Sequence, residues 1–256
     1  MPAAEVDVSV DLVRRLLTEQ RPDLAHLPIA LPANGWDNVM CRIGDHHLAR
    51  LPRRAAAVRF LTNEQRWLPV VAGSLPLRVP VPVHIGLPGA GYPWPWSVLP
   101  YLPGQVAARN PPTDPGRAAA DLGGFLRALH VPADPDAPAN PTRGIPLAER
   151  ADTFAENLDI LGARVDRAAI MSLWEAAVAA PHWGEPPVWL HGDLHPANIL
   201  IDRGRISGVI DFGDITAGDP ASDLSGAWML LPPAHHATLR EAYGGADDDT
   251  WTRARG

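Results

Sequence analysis

The chain has 256 residues, of which 46% are apolar, and this length suits two lobes with a buried core. Its formal net charge of −7 argues against a nucleic-acid partner, and no apolar run approaches the length needed to cross a membrane. One cysteine and no lysine exclude an internal disulfide, a Cys-based zinc pair, a Walker-type phosphate loop and Schiff-base chemistry. The first ten residues lack a basic flank followed by an apolar core, so we expect a soluble, unprocessed protein, and the lone cysteine fits the cytoplasm.

The first hundred residues predict a β-rich lobe with two helices. Leucines at helical spacing precede Pro22, and Gly44-Asp45 separates two short apolar segments in the manner of a β-hairpin. Prolines crowd residues 73–104, which is typical of edge strands that lead to a hinge. The predicted elements are helices at 11–17 and 55–71 and strands at 39–43, 47–51 and 97–99.

The remaining residues predict a helical lobe that contains one more hairpin. Asp114 and Pro115 are typical of a helix start, and Arg203-Gly204 separates two strand-like segments at 199–201 and 206–210. Further helices are predicted at 146–161, 166–179, 220–231 and 234–243. We therefore expect an α+β protein with an N-terminal lobe of residues 1–101 and a helical C-terminal lobe of residues 102–256.

The segment from His191 to Gly213 carries the chemistry. Asp193 stands five residues before Asn198 on a loop that opens into the second hairpin, and Asp211 follows at the far end of that hairpin. Phosphoryl transfer needs a carboxylate to accept the proton of the attacking hydroxyl, and oxygen ligands to hold Mg²⁺ against a triphosphate. Asp193 suits the first role, and Asn198 and Asp211 suit the second.

This segment resembles the aminoglycoside phosphotransferase and choline kinase-like family. The matching residues read His-Gly-Asp-Leu-His-Pro-Ala-Asn at 191–198, Ile-Asp-Phe-Gly-Asp at 210–214 and Gly-Asp-Pro-Ala-Ser-Asp-Leu at 218–224. The resemblance implies a bilobal protein-kinase-like fold and a reaction that moves the γ-phosphoryl group of ATP to a small-molecule hydroxyl. It implies that Asp193 is the catalytic base and that Asn198 and Asp211 are Mg²⁺ ligands.

The resemblance also implies nucleotide-binding residues in the N-terminal lobe. The turn from Gly35 to Asn38 would lie over the ATP phosphates, and backbone groups from Val98 to Tyr101 would receive the adenine. Members of the family usually pair a strand lysine with a helix glutamate; Arg50 and Glu64 take those positions here. Arg53 and Arg54 lie close enough in sequence to substitute for Arg50.

Two alternative functions remain open at this point. The missing lysine, the glycine-poor phosphate loop and an end that comes earlier than in most of the family fit a nucleotide-binding pseudoenzyme. A metallohydrolase that uses His191, Asp193 and His195 is the other, although such histidines more often pack behind the loop and orient the aspartate. Asp219 and Asp223 are interpreted as structural braces of the catalytic loop.

The acceptor is the least determined part of the function. An antibiotic, a choline-like alcohol and a sugar all fit the motifs, and the early end leaves open whether the acceptor pocket has all its walls. Asp152, Glu156 and Asp159 on one predicted helix favour an acceptor that carries amines, as an aminoglycoside does. The same carboxylates also fit a solvated helix face.

Overall fold

The computed structural model describes residues 2–256, and for residues 31–34 it describes the backbone only. The chain divides into two compact units. The first unit contains the residues up to Gly73, Arg78–Pro103 and Val209–Gly213, and the second contains Ser74–Leu77, Gly104–Gly208 and Asp214–Gly256. Asp211 therefore belongs to the first unit, although most of the sequence around it belongs to the second.

The first unit is built on an antiparallel sheet in the order β1-β2-β3-β5-β4. The strands are β1 Ile29–Asn34, β2 Asn38–Ile43, β3 His47–Pro52, β4 His84–Gly86 and β5 Trp96–Pro100, and the helices are α1 Val10–Gln20, α2 Pro22–Ala25 and α3 Val58–Ala72. The predicted first hairpin is confirmed, with Cys41 opposite Ala49 and Met40 opposite Arg50. The predicted second helix begins as a 3-10 turn, Ala55–Ala57, before α3.

Apolar residues at helical spacing on α1 form one side of the core of this unit. Ser9 caps the helix by accepting a hydrogen bond from the Leu12 N–H, and Leu16 and Leu17 are fully buried. They belong to the same core as Cys41, Ile43, Ala49, Leu51 and Val98 of the sheet. Burial of α1 against the sheet fixes β2 and β3, and β3 in turn carries Arg50.

The second unit is mainly helical. Its helices are α4 Pro115–Leu129, α5 Ala151–Leu161, α6 Arg167–Ala179, α7 Ala221–Leu230, α8 His236–Tyr243 and α9 Asp248–Arg253. Its strands are β6 Gln105–Val106, β7 Val188–Leu190, β8 Ile199–Asp202, β9 Arg205–Val209 and β10 Thr216–Gly218, with Val209 itself in the first unit. The predicted second hairpin is confirmed as β8 and β9, which form a small sheet with β6.

Helix α4 packs closely on α8, and the end of α4 positions His130 beside Asp223. A Cβ at Gly123 would lie 2.8 Å from the Leu239 carbonyl oxygen, so glycine is what lets the two helices approach. The helix ends at Leu129, and the His130 that follows is directed towards Asp223. Within residues 2–256, no helix is both long enough and apolar enough to cross a membrane.

Candidate active site

Arg50 is the centre of a buried ionic network in the first unit. Its Nη1 donates to Oε2 of Glu64 at 2.7 Å, and its Nη2 donates to Oδ1 of Asp211 at 2.7 Å. The backbone N–H of Phe212 also donates to Glu64, at 3.1 Å. Arginine therefore occupies the predicted place and joins two carboxylates at once, which is the fork geometry of a guanidinium.

The charges in this network depend on one another because Glu64 is completely buried. Burial alone would lower the pKa of Arg50, but the carboxylates of Glu64 and Asp211 outweigh it and hold that pKa above its usual value. Burial raises the pKa of Glu64, and only Arg50 and the Phe212 N–H act strongly against this. Among the described residues, the Glu64 Oε1 has no hydrogen-bond partner. Arg50 is therefore what makes a charged Glu64 tolerable.

Asp211 combines an uncommon backbone conformation with a half-exposed side chain. Its φ of 68° lies in the left-handed region, which aspartate adopts more readily than most residues. Its side chain stays half exposed even though one oxygen accepts from buried Arg50. An anchored carboxylate that still reaches solvent has the donor chemistry that Mg²⁺ prefers.

The predicted phosphate loop lies beside the same arginine. With its amide oxygen turned towards Arg50, Asn38 accepts hydrogen bonds from Nη2 and Nε at 3.1 and 3.3 Å. The Gly35 N–H donates to the Asn38 carbonyl at 2.9 Å and closes the turn. Arg54 donates to Asp37 at 2.8 Å and Arg53 is within 3.4 Å of the Gly35 carbonyl, so these neighbours belong to the loop.

Backbone groups of the predicted adenine-binding segment are partly used by the sheet. Val98 is fully buried on β5, and its carbonyl accepts from the Val83 N–H at 2.8 Å. The Tyr101 N–H donates to the His46 carbonyl at 2.7 Å, and the Arg42 guanidinium lies 3.2 Å from the centre of the Tyr101 ring. That Val98 and Tyr101 receive the adenine stays a prediction.

Asp193 lies in the second unit with two groups that orient its carboxylate. Arg143 donates to Oδ1 at 2.7 Å, and the Nε2 of His195 lies 3.3 Å from Oδ2. The Asn198 amide donates to the Asp193 carbonyl at 2.9 Å and approaches Oδ2 at 3.5 Å. The five-residue spacing thus places the candidate base and the candidate metal ligand in direct contact.

Asp223 holds the backbone of the loop that carries Asp193, as the sequence predicted. Its carboxylate accepts from the N–H groups of His191 at 2.7 Å and Gly192 at 2.9 Å, and it faces the His130 ring at 3.2 Å. Burial alone would raise the pKa of Asp223, but the hydrogen bond from His130, the nearby imidazoles and the Gly192 N–H together hold it below its usual value. A buried carboxylate therefore fixes the backbone immediately before Asp193.

Gly192 and Asp219 complete the support of the loop. Gly192 has a φ of 84°, and a Cβ there would come within 2.2 Å of the Asp214 carbonyl oxygen, so only glycine fits. Asp219 accepts from the Ala221 N–H at 2.9 Å at the start of α7 and from Arg253 at 2.6 Å. Asp247, part of the acidic run near the end of the chain, caps α9, the helix that carries Arg253.

The geometry does not favour the metallohydrolase. His191 is fully buried, and its Nδ1 accepts from the Asp193 N–H at 3.2 Å, while the His195 Nδ1 accepts from the Ala197 N–H. Over residues 2–256, no group of three His, Cys, Asp or Glu side chains is placed to hold a metal ion. These histidines shape the loop, which is the interpretation that the sequence favoured.

Asp193 opens into a cavity of about 400 Å³ that lies within the second unit. Its charged lining consists of Arg143, Arg150, Arg253, Glu185, Asp193 and Asp219, and its other lining includes Trp183, Leu147 and Met229. The carboxylates of Asp152, Glu156 and Asp159 do not line it, and Asp159 pairs instead with Arg167 at 2.8 Å. The charge argument for an amine-bearing acceptor therefore finds no support in these three residues.

The sequence did not reveal Arg143 or Arg150. Both lie in or next to an irregular segment that follows a proline-rich linker, where no periodicity assigns a face to a side chain. Arg143 contacts Asp193 across 50 positions. Arg143 stands before the helix predicted at 146–161 and Arg150 near its start, and neither position carried a signal for the site.

A model of the phosphotransferase enzyme family matches residues 28–256. The chain belongs to this family. Membership confirms the predicted enzyme class, phosphotransferase. A curated relative of the same class is viomycin phosphotransferase of Streptomyces vinaceus. It is 30% identical over 200 residues, which cover 72% of this chain and 67% of that protein.

Solved structures show the fold of the phosphotransferase. The GDP complex of wild-type aminoglycoside 2'-phosphotransferase-IIIa has a TM-score of 0.72 at 19% identity, covering 97% of this chain and 87% of that one. The macrolide 2'-phosphotransferase MphH of Brachybacterium faecium has a TM-score of 0.64 at 23% identity, covering 96% and 87%. The protein-kinase-like α+β fold predicted from the sequence is confirmed.

Proposed function

We propose that this phosphotransferase transfers the γ-phosphoryl group of ATP to a hydroxyl of a small-molecule antibiotic, with Asp193 as the catalytic base. The observation that carries the proposal is the position of the Asp193 carboxylate, which lines the cavity of the second unit. Arg143 contacts its Oδ1, and His195 and Asn198 approach its Oδ2. The relatives named after viomycin, aminoglycosides and macrolides support an antibiotic as acceptor.

The role of Asp193 follows from its surroundings. An acceptor hydroxyl in the cavity would donate to Asp193 and lose its proton to this carboxylate as the phosphoryl group arrives. Arg143 and Asn198 limit the rotation of the carboxylate, so that it meets the hydroxyl without first being reoriented. Asp223 holds the preceding backbone and thereby keeps the position of the base.

The first unit would hold the nucleotide. Arg50 would contact phosphate oxygens while Glu64 fixes its guanidinium, and the turn from Gly35 to Asn38 would cover the phosphates. The GDP bound in the aminoglycoside 2'-phosphotransferase-IIIa complex supports a nucleotide substrate. Because ATP is the proposed donor, we place the reaction in the cytoplasm.

Asn198 and the half-exposed Asp211 fit Mg²⁺, because amide and carboxylate oxygens are the ligands that this hard cation prefers. When bound, Mg²⁺ would supply positive charge against the developing charge on the phosphate oxygens. The proposal assigns these two residues to the metal through their donor chemistry.

The test compares phosphate transfer by the parent and by Asp193→Asn with a panel of hydroxylated antibiotics. ATP consumption and mass spectrometry of the acceptor measure the transfer. We expect turnover to fall by about 10²–10⁴-fold, because the amide cannot accept the proton, while the nucleotide dissociation constant changes little. Asp136→Asn is the matched control, since Asp136 is exposed and does not line the cavity.

Two outcomes would count against the proposal. Turnover in Asp193→Asn that equals the parent would remove this residue from the mechanism. Tight nucleotide binding without transfer to any acceptor in the panel would instead support the pseudoenzyme alternative.

A further inference from the structure

One wall of the cavity carries two guanidinium groups. Arg143 and Arg150 both line it; Arg143 precedes the 3-10 turn Leu147–Arg150, and Arg150 is the last residue of that turn. Arg143 uses Nη2 to contact Asp193, while its Nε is buried and has no hydrogen-bond partner among the described residues. One hydrogen-bond donor of the Arg143 side chain is thus left unused among the described residues.

Arg150 has no compensating charge among the residues that the structure describes. In the part of the chain that the structure describes, no carboxylate lies within 4 Å of its guanidinium, whereas four other arginines with half-buried or buried side chains, Arg21, Arg50, Arg54 and Arg253, each have such a partner. Partial burial lowers the pKa of Arg150 from its ordinary value, and repulsion by the Arg143 guanidinium adds to this. Two cations that repel each other in a concave wall gain stability when an anion binds between them.

The carboxylates of the cavity are mostly committed elsewhere. Asp193 accepts from Arg143, and Asp219 accepts from Arg253 at 2.6 Å. Of the acidic lining this leaves Glu185, which is exposed. Of the cationic lining, Arg143 and Arg253 are committed to these same carboxylates, which leaves Arg150. An acceptor with several ammonium groups would thus meet the Arg150 guanidinium and a single carboxylate, Glu185, that is exposed to solvent, which opposes its binding.

We propose that Arg150, together with Arg143, forms a subsite for an anionic group, a carboxylate or a phosphate, carried by the acceptor. The inference rests on the proposed function, because it takes the acceptor hydroxyl to lie at Asp193. A planar guanidinium binds a carboxylate or phosphate through two parallel hydrogen bonds and so orients the molecule that carries it. The apolar lining from Leu147, Trp183 and Met229 is then left for the remainder of the acceptor.

The first test measures binding of small probes that differ in charge. Glycerate, 3-phosphoglycerate, glycerol and 2-amino-1,3-propanediol are titrated calorimetrically in the presence of saturating ADP, which keeps anions out of the nucleotide site. We expect the two anions to bind at least about tenfold more tightly than glycerol, and the amine to bind most weakly. The ratio between glycerate and 3-phosphoglycerate tells which anionic group the subsite prefers.

Variants locate the effect. Arg150→Gln keeps a polar side chain but removes the charge and shortens the reach, and it should weaken the anions by about tenfold or more while leaving glycerol unchanged. Arg164→Gln is the control, since Arg164 donates to the Ile160 carbonyl and is not among the residues that line the cavity; it should behave as the parent does. Equal anion binding by Arg150→Gln and the parent, or preferred binding of the amine, would overturn the subsite.

Turnover separates this inference from the proposed function. A panel of antibiotics with and without an acidic group is assayed with parent and Arg150→Gln, and we expect the acidic acceptors to lead and to lose kcat/KM selectively in the variant. Leading turnover of cationic acceptors would refute the subsite and leave the phosphotransferase intact. Anion binding that depends on Arg150 without any phosphorylation would support the subsite and contradict the proposed activity.

Discussion

Removing the Arg50 guanidinium should destabilise the first unit strongly. In Arg50→Ala, the completely buried Glu64 would lose its ionic partner, and Asp211 would lose the anchor of one oxygen. Breaking a buried ion pair from one side costs about 3–5 kcal/mol, because the remaining charge is left without compensation. In a chain of this size that corresponds to a fall in melting temperature of about 6–20 °C.

The measurement combines urea denaturation with hydrogen exchange of peptides from β3 and α3, which report on the first unit by itself. Arg50→Lys should recover part of the loss, because one ammonium keeps the charge but cannot fork onto two carboxylates as this guanidinium does. Arg54→Ala is the control; its pair with Asp37 is partly exposed and should contribute less than about 1 kcal/mol.

The double variant Arg50→Ala/Glu64→Gln removes the stranded charge. It should be more stable than Arg50→Ala alone, since a neutral amide costs less to bury than a carboxylate. An Arg50→Ala protein within about 1 kcal/mol of the parent would refute the reasoning, because Glu64 would then have to be neutral or solvated without its partner.

Two further predictions concern the catalytic loop. Asp223→Asn should lower the free energy of unfolding at pH 7 by about 3 kcal/mol in urea titrations. Because the folded pKa of Asp223 lies below its unfolded value of about 3.9, its contribution is complete above that pH and is lost as the pH falls through the folded pKa; an unchanged acid limb in the variant would contradict this. Gly192→Ala should reduce both stability and turnover, since its Cβ would overlap the Asp214 carbonyl, whereas Gly124→Ala on α4 meets no atom within 4 Å and should stabilise by about 1 kcal/mol; the two melting curves should therefore shift in opposite directions.

Local patterns predicted the elements of both units well because burial imposes a period on the sequence. The leucine spacing of α1 and the two short segments separated by Gly44-Asp45 each depend only on neighbours a few residues away. Asp219 and Asp223 were interpreted as braces because Asp219-Pro220 is typical of a helix start, and the structure shows the hydrogen bonds by which Asp223 holds the loop. The predicted placement of Arg50 against Glu64 is also found in the structure.

The lining of the cavity was not predictable in this way. Arg143 meets Asp193 across 50 residues of linker and helix, and no spacing rule links two such positions. The carboxylates of α5 do not line this cavity, and a net negative helix face in a sequence does not tell which surface it meets. An amine-bearing acceptor stays a prediction. Charge composition describes the whole chain, whereas acceptor choice depends on the few groups that line one concavity.

The arginine at position 50 also decides how this protein responds to chemical labelling. Nucleotide probes that acylate an amine beside the triphosphate require a lysine whose nitrogen can lose its proton and attack. The Arg50 guanidinium stays protonated, with its pKa held above an already high value, and so offers no such nucleophile. The sequence contains no lysine at all. A proteomic survey that detects kinases through acylation of such a lysine would therefore not detect this chain, even with nucleotide bound.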